Sequence, residues 1–487
     1  MSELPQGWVS ATISDVTSYV QRGKSPKYVQ RSELPVVNQK CVRWWGIDEA
    51  HLKYVDPSQW DAWGEERFLR QGDILWNSTG TGTIGRAALY RGLKSCRRAV
   101  VDSHVTIVRS NDAVIGDYLH RLIQSRLVQD KIDDMQSGST NQVELSRSEV
   151  LNTSVPLPPL PEQRRIVAKI DSLSAKSRRA RDHLNHIPRL VEKYKQAILA
   201  AAFRGELTRD WSLTEPPSDD DLAGAKLKLC AELRCRPWKL SETPPKVLLA
   251  PGRWKRCYVG QVVAHRSGIA FESKDFTTSG LQVVRLGNLY QARLDLARQP
   301  VFITNLAKYD AFTTRSGDIL VSQTGTKYKR DYGHFVVIPA EVRVLVNQRV
   351  VCLTPTKHLN ASFLALFSQT DAFREHFFGH ETGGVSQGNV GLAGILDAPF
   401  ALPSRPEQDE IVRRIGLAFS FIDRLSSEAS SARKLIGHLD EAVLAKAFRG
   451  ELVPQDPNDE PVSALLERIK AEREAAKAQP RKAKQQN

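Results

Sequence analysis

From Ile166 onward, apolar or small residues return at alternating steps of four and three: Ile170, Leu173, Ser177, Ala180, Leu184, Ile187, Val191, Tyr194, Ile198 and Ala201. From Ile411 the same rhythm gives Ile415, Ala418, Ile422, Leu425, Ala429, Ala432, Ile436, Leu439 and Val443. A mean step of 3.5 residues keeps one stripe of a helix turned toward a partner helix, so the pattern predicts two long helices packed as a coiled coil with the larger of these side chains at its core. The punctuation agrees. Pro161 and Pro406 suit a first helical position, Glu162 and Glu407 face the positive helix end, and Gly205 and Gly450 suit a left-handed residue after the last turn. Pro188 falls inside the first stripe and removes a backbone hydrogen bond, so a bend or break is expected there. Arg433 holds the equivalent place in the second.

The two stripes belong to a duplication. Pro161-Glu162-Gln163 returns as Pro406-Glu407-Gln408, and Phe203-Arg204-Gly205-Glu206-Leu207 as Phe448-Arg449-Gly450-Glu451-Leu452, each at an offset of 245 (406 less 161, 448 less 203). Gly72-Asp73-Ile74-Leu75 and Gly317-Asp318-Ile319-Leu320 keep that offset. Ahead of each helix, short β-rich runs (Val100-Val101, Val105–Val108, Phe335–Ile338, Val344–Val346) alternate with Gly and polar turns, and helical stretches are expected over Tyr118–Asp134 and Phe363–Phe378.

The expected fold is therefore α+β: two mixed α/β domains, 1–155 and 251–400, separated by two long helices (156–207 and 401–452) forming an antiparallel coiled coil, with a pseudo-twofold internal repeat. Each domain precedes its own helix, so antiparallel helices would put the domains at opposite ends. Residues 208–250 read as a charged, Pro-rich connector with a short helix near Leu222–Leu233. Residues 453–487 read as a tail with a helix over Val462–Glu474 and a disordered end from Lys477.

Composition narrows the partner. The 487 residues carry a formal charge of +14, which favours a polyanion, and a hydrophobic content of 41% is ample for folded cores. No apolar run reaches the roughly 18 residues a membrane span needs, and Met1-Ser2-Glu3-Leu4-Pro5 lacks a signal's basic and apolar regions, so a cytoplasmic chain with no membrane partner is expected. Six scattered cysteines have neither Cys-x-x-Cys spacing nor a histidine partner, which argues against a metal site or disulfide framework.

Catalytic chemistry is thin. Gly80-Thr81-Gly82-Thr83-Ile84-Gly85 formally matches a dinucleotide fingerprint, but Arg86–Tyr90 is too short for the helix such a site requires, and Gly325 onward keeps only the first glycine. A tight, exposed turn is the better reading. There is no P-loop and no Asn- or Asp-Pro-Pro-aromatic methyltransferase motif. The one acidic-x-Lys triplet, Glu272-Ser273-Lys274, has no converging carboxylates to hold an ion. His104 and His334 stand alone, so no catalytic residue, metal or cofactor is expected in the chain.

Polar loops offer more. Arg22, Lys24 and Lys27, then Asn38, Lys40 and Arg43, then Asn77 and Thr79 place hydrogen-bond donors and cations beside aromatics in the first domain. Arg266, Arg285, Asn288, Gln323, Lys327, Lys329 and Arg330 do so in the second. Such groups meet phosphates and base edges. The loops Ser137–Gln142 and Gly383–Asn389 read equally as hinges or as points of close approach to DNA.

Two variable domains with Gly-Asp-Ile-Leu, each ending in a Pro-rich run before Pro-Glu-Gln and followed by a long helix closing in Phe-Arg-Gly-Glu-Leu, resemble the specificity subunit of a type I restriction-modification enzyme over essentially the whole chain. The resemblance implies a non-catalytic subunit whose two target recognition domains each read half of a split DNA site. It implies two modification (methyltransferase) subunits carrying S-adenosylmethionine, and restriction subunits using ATP and Mg²⁺, as partners. The rival readings are a coiled-coil scaffold with nonspecific nucleic-acid binding and an autonomous nuclease or methyltransferase.

Overall fold

The structure, a computed structural model, describes residues 4–80, 82–137, 144–211, 214–242, 251–290 and 292–478. Two helices of 44 residues each, Leu160–Phe203 and Arg405–Phe448, carry the two apolar stripes. The chain divides into two compact units: Met1–Asn185 with Ser430–Asn487, and His186–Ala429. Each unit thus owns one mixed domain, the start of that domain's own helix and the end of the other helix.

In the first unit an antiparallel sheet runs Thr17–Arg22, Val105–Ser110, Ile74–Asn77, Ala87–Leu89, and a second, mixed sheet joins Val100–Val101, Pro35–Val37, Lys53–Val55 and Tyr28–Val29. In the second unit the order Val263–Ser267, Val350–Pro355, Ile319–Ser322, Phe335–Val337 repeats the first sheet. Register is kept as well: Val108 pairs with Ile74, and Leu353 with Ile319. Both members of each pair are buried, as the β-branched and leucine content of these strands requires.

The repeated Pro-Glu-Gln has a physical job. Gln163 donates to the carbonyls of Ala113 and Pro158 (3.0 and 2.9 Å) and accepts from the amide of Ile115 (2.9 Å). Gln408 makes the same three bonds, to His358, Pro403 and Asn360 (2.9, 3.0 and 2.8 Å). Glu162 accepts from the indole of Trp8 at 3.0 Å, and Glu407 from that of Trp254 at 3.1 Å. All four glutamate and glutamine side chains are buried, so these bonds satisfy domain backbone groups that would otherwise be orphaned.

The closing Phe-Arg-Gly-Glu-Leu completes the lock from the other helix. Gly205 and Gly450 adopt φ of 72° and 73°, and a Cβ there would lie 2.6 Å from Pro251 Cγ or 2.3 Å from Pro5 Cγ. Glycine is needed both for the left-handed turn and for the close approach. Phe203 packs on Phe363 and Phe367 in the second unit, and Phe448 on Tyr118 in the first.

The helices run antiparallel within each unit. In the first, Ile166 and Ile170 share a core with Val443 and Phe448 and Arg181 pairs with Asp440; in the second, Ile411 and Ile415 share a core with Leu199 and Ala202 and Lys195 pairs with Asp423, so the start of each helix meets the end of the other. Ile166, Ile170, Ile411 and Ile415 are fully buried, and Val443 nearly so. Leu173, Leu184, Ile187, Val191, Ile198, Ile422 and Ile436 are half-buried, with Leu173 and Ile198 packed against the cores of the first and second units.

Five expectations are corrected. Leu425 and Leu439 are 44% and 54% exposed rather than core, because 3.6 residues per turn lets a strict heptad stripe drift around a helix. The first helix is continuous through Pro188, so of the bend or break expected there the break is absent. Residues 208–250 are more than a connector: the helix Asp219–Glu232 buries Leu222 and Cys230 in the second unit, and Lys226 donates to the carbonyl of Trp238 at 3.2 Å and to that of Gly260. Its counterpart is the C-terminal helix, which runs past Glu474 as Val462–Ala478 and buries Val462 and Leu465 in the first unit. The predicted helices 118–134 and 363–378 are each two shorter ones, Gly116–Gln124 with Arg126–Gln129 and Ala361–Phe367 with Asp371–Gly379.

The two locks differ in charge balance. Glu407 also accepts from Arg253 (2.7 Å) and from the Thr208 hydroxyl (2.7 Å), whereas Oε1 of Glu162 is buried without a partner. Burial raises the Glu162 pKa, with the Trp8 bond and Arg165 opposing. A carboxyl raised in the folded state adds stability when protonated and loses it as pH rises through the raised value. Glu162→Gln is therefore expected to hold or raise thermal stability at pH 7 and to flatten its fall above the carboxylate range. Glu407→Gln should cost about 1–3 kcal/mol. Thermal unfolding of both variants against pH checks this; an equal loss in the two would contradict it.

Candidate nucleic-acid interface

The predicted contact residues divide by what their side chains already do. In the first unit, Asn38 is buried, donates to the carbonyl of His51 (2.6 Å) and accepts from the amide of Lys40 (2.8 Å). Asn77 is fully buried and donates to the carbonyl of Gln39. In the second unit, Asn288 accepts from the amide of Arg285 and donates to the carbonyls of Asp295 and Arg298, all at 2.9 Å. These amides brace loops from inside.

Arg266 is likewise spent internally. Its guanidinium lies 2.7 Å from Asp318, a carboxylate with no solvent exposure, and bonds the carbonyls of Ala311 and Thr313. The Asp73 of the first unit, equivalent to Asp318 in Gly-Asp-Ile-Leu, is met instead by Arg109 at 2.7 Å. One buried acid in each unit thus recruits an arginine from a different strand. Removing either partner would strand a buried charge.

The cations and hydroxyls that remain at the surface gather on loops at the strand ends. Arg22 bonds the carbonyl of Ser103 (2.8 Å) and Glu144 (2.6 Å), and Ser25 bonds the Ser103 hydroxyl. Thr79 bonds Nδ1 of His104, whose amide donates to Asp102. Burial raises the Asp102 pKa. Lys24 and Lys40 are exposed, Lys27 pairs with Asp56 at 2.9 Å, and Arg43 with Asp48 at 3.5 Å.

Gly23 is no flexible spacer. A Cβ there would lie 2.1 Å from the carbonyl oxygen of Val101, and at Gly268 2.1 Å from that of Asn347, so glycine lets these two turns cross in each unit. Gly80, Gly82 and Gly85 have positive φ and residues 82–85 form the expected turn, but it is exposed only at Gly82 and buried at Gly85. The loop Ser137–Gln142, expected to be a hinge or a point of close approach to DNA, lies outside the described residues from 138 on.

In the second unit, Thr324–Thr326, Gln387–Val390 and Glu381–Thr382 form a small three-stranded sheet. Its loop carries Lys327, Lys329 and Arg330, with Gln323 at its base donating to the carbonyl of Val390 at 3.3 Å. Arg285 is half-buried and reaches the carbonyl of Gln299. His334 is pushed down to about 4 by burial and Arg374, so it is neutral at pH 7.

The aromatics expected beside the cations of the first domain include Trp44 and Trp45, both exposed; sequence reading missed Tyr290. Trp45, at 75% exposure, tips the hairpin pairing Val42–Arg43 with Gly46–Ile47, and half-exposed Tyr290 occupies the matching hairpin of the second unit. The signal available was the 245 offset itself, which aligns Trp45 with Tyr290. Among the described residues no group of three His, Cys, Asp or Glu is placed to hold a metal ion, and no described helix is long and apolar enough to cross a membrane.

A family model described as type I restriction modification DNA specificity domain matches residues 5–189 and 251–421. The chain is 23% identical to the EcoKI specificity subunit of Escherichia coli strain K12, covering 97% of both chains. It is 22% identical to the StySPI specificity subunit of Salmonella potsdam, covering 97% of this chain and 96% of that one. Its fold is similar to that of the HsdS subunit from Thermoanaerobacter tengcongensis, with a TM-score of 0.57 at 18% identity over 92% of this chain and 98% of that one.

Removing an internal brace should differ from removing a surface cation. Asn288→Ala is expected to lower stability by about 2–3 kcal/mol. Lys329→Ala should change it by less than about 0.5 kcal/mol. Chemical denaturation of the two variants checks the division, and a destabilised Lys329→Ala would undo it.

Proposed function

Because the chain belongs to the type I restriction modification DNA specificity domain family, we propose that it is the sequence-reading subunit of such a system, each unit taking one half of a bipartite, asymmetric site in double-stranded DNA. The observation that carries this is the contrast between frame and loops. The two units share strand order, register and the Trp–Glu–Gln lock, yet present different polar groups at equivalent loop positions, such as Ser103-His104 against Gln348-Arg349. Same frame with different loops suits one ligand class in two sequences.

The helix pair serves as ruler and dock in this reading. Leu417, Phe421 and Leu425 stand exposed at i, i+4 and i+8 on the second long helix, an unpartnered apolar stripe of the kind a partner helix covers. We assign that role to the modification subunits, of which two would bind, with restriction subunits joining the assembly. S-adenosylmethionine, ATP and Mg²⁺ then belong to the partner chains, and the methyl transfer and cleavage with them. This chain contributes the choice of site, with no catalytic residue of its own, in the cytoplasm.

The test is a domain exchange in the assembled methyltransferase complex. Replacing residues 1–155 by the corresponding domain of another family member should change one half of the methylated motif and leave the other half intact, as read by mapping methyladenine in host DNA. A change in both halves, or in neither, would sink the proposal.

A further inference from the structure

The small sheet of the second unit ends in a finger with an exposed tip. Tyr328 is 81% exposed and Val385 is 90% exposed, the latter on the hairpin between Glu381–Thr382 and Gln387–Val390. The finger is held firmly below that tip. The amide of Thr326 donates to Asp331 (3.0 Å), the amide of Lys327 to the carbonyl of Ser386 (3.3 Å), and Tyr332 bonds Glu381 (2.7 Å). Gly383, at φ 114°, turns the hairpin where a Cβ would meet the carbonyl oxygen of Gln387 at 2.3 Å. Tyr328 and Arg330 both adopt left-handed backbone (φ 72° and 51°).

The base of the finger holds two acids, Asp331 and Glu381, each hydrogen-bonded to the Thr326 amide or to Tyr332, beside cations that pair with neither. Arg374 lies 4.7 Å from the Phe378 ring centroid and Arg330 5.2 Å from it, and Arg374 donates to the carbonyls of Tyr332 and Arg330. Burial and Arg330 press the Arg374 pKa down to about 10. Among the described residues, no carboxylate forms an ion pair with Lys327, Lys329, Arg330 or Arg374.

We propose that this finger is the base reader of the second unit: it enters the major groove, sets Val385 against the 5-methyl group of a thymine, with Tyr328 beside it, and lays Lys329 and Arg330 on backbone phosphates. A β-ribbon fits the major groove, and the thymine methyl is the base-edge group there that an apolar side chain recognises. The cations supply the sequence-independent part. This rests on the functional reading above and names its reading residues in one half.

The test uses the complex with its modification subunit and duplexes carrying the mapped motif, in which each thymine of the second unit's half-site is replaced in turn by uracil, which lacks the methyl. One replacement is expected to weaken wild-type binding about 3- to 10-fold. Val385→Ala should bind more weakly from the outset and be indifferent to that same replacement. Lys329→Ala should weaken binding to all sequences alike and reduce the salt slope by about 1. Silence of every uracil in the wild type, or an undiminished uracil effect in Val385→Ala, would overturn the inference while leaving the bipartite reading intact. A wild-type complex that methylates no bipartite motif would instead remove the reading on which it rests.

Discussion

The interaction on which the rest of the structure depends is the buried clamp at the start of each long helix. A glutamine there satisfies three backbone groups of the preceding domain, and a glutamate beside it holds a tryptophan at that domain's first strand. Each bond is modest alone, but leaving any of these buried groups unpaired costs more than the bond itself returns. The domain therefore takes one orientation on its helix. The glycine closing the other helix packs against the proline and tryptophan at the same place, so three separated chain segments meet at each clamp. Loops mounted on such a frame can diverge without moving it.

Much of this was legible in the sequence because the duplication printed it twice. Pro-Glu-Gln and Phe-Arg-Gly-Glu-Leu mark helix starts and stops by local chemistry, and local chemistry is what sequence shows best. The antiparallel pair followed from chain order. What the residues could not reveal were long-range partners: Trp8 and Trp254 read as ordinary core, and only the fold brings them to Glu162 and Glu407. The heptad stripe was read too strictly at Leu425 and Leu439, since straight helical geometry turns those side chains away.

The polar loops were the least legible part. Asparagine and arginine on a loop look alike whether they brace it or await a ligand, and Asn38, Asn77, Asn288 and Arg266 turned out to brace. Where each side chain's partner lies decides the matter, and that partner is often tens of residues away. Conversely, the loop Gly383–Asn389 stood out in the sequence only for its small residues and amides, and the apolar Val385 within it carries no functional flag until its exposure is known.

The account makes a frame common to both units and a reading surface particular to each. Its central claim is tested most directly by sequencing methyladenine in a host that expresses this chain with its cognate modification subunit. The account predicts a motif of two short, different sequence blocks separated by a fixed number of unspecified bases. A single uninterrupted motif, or methylation without sequence preference, would contradict it.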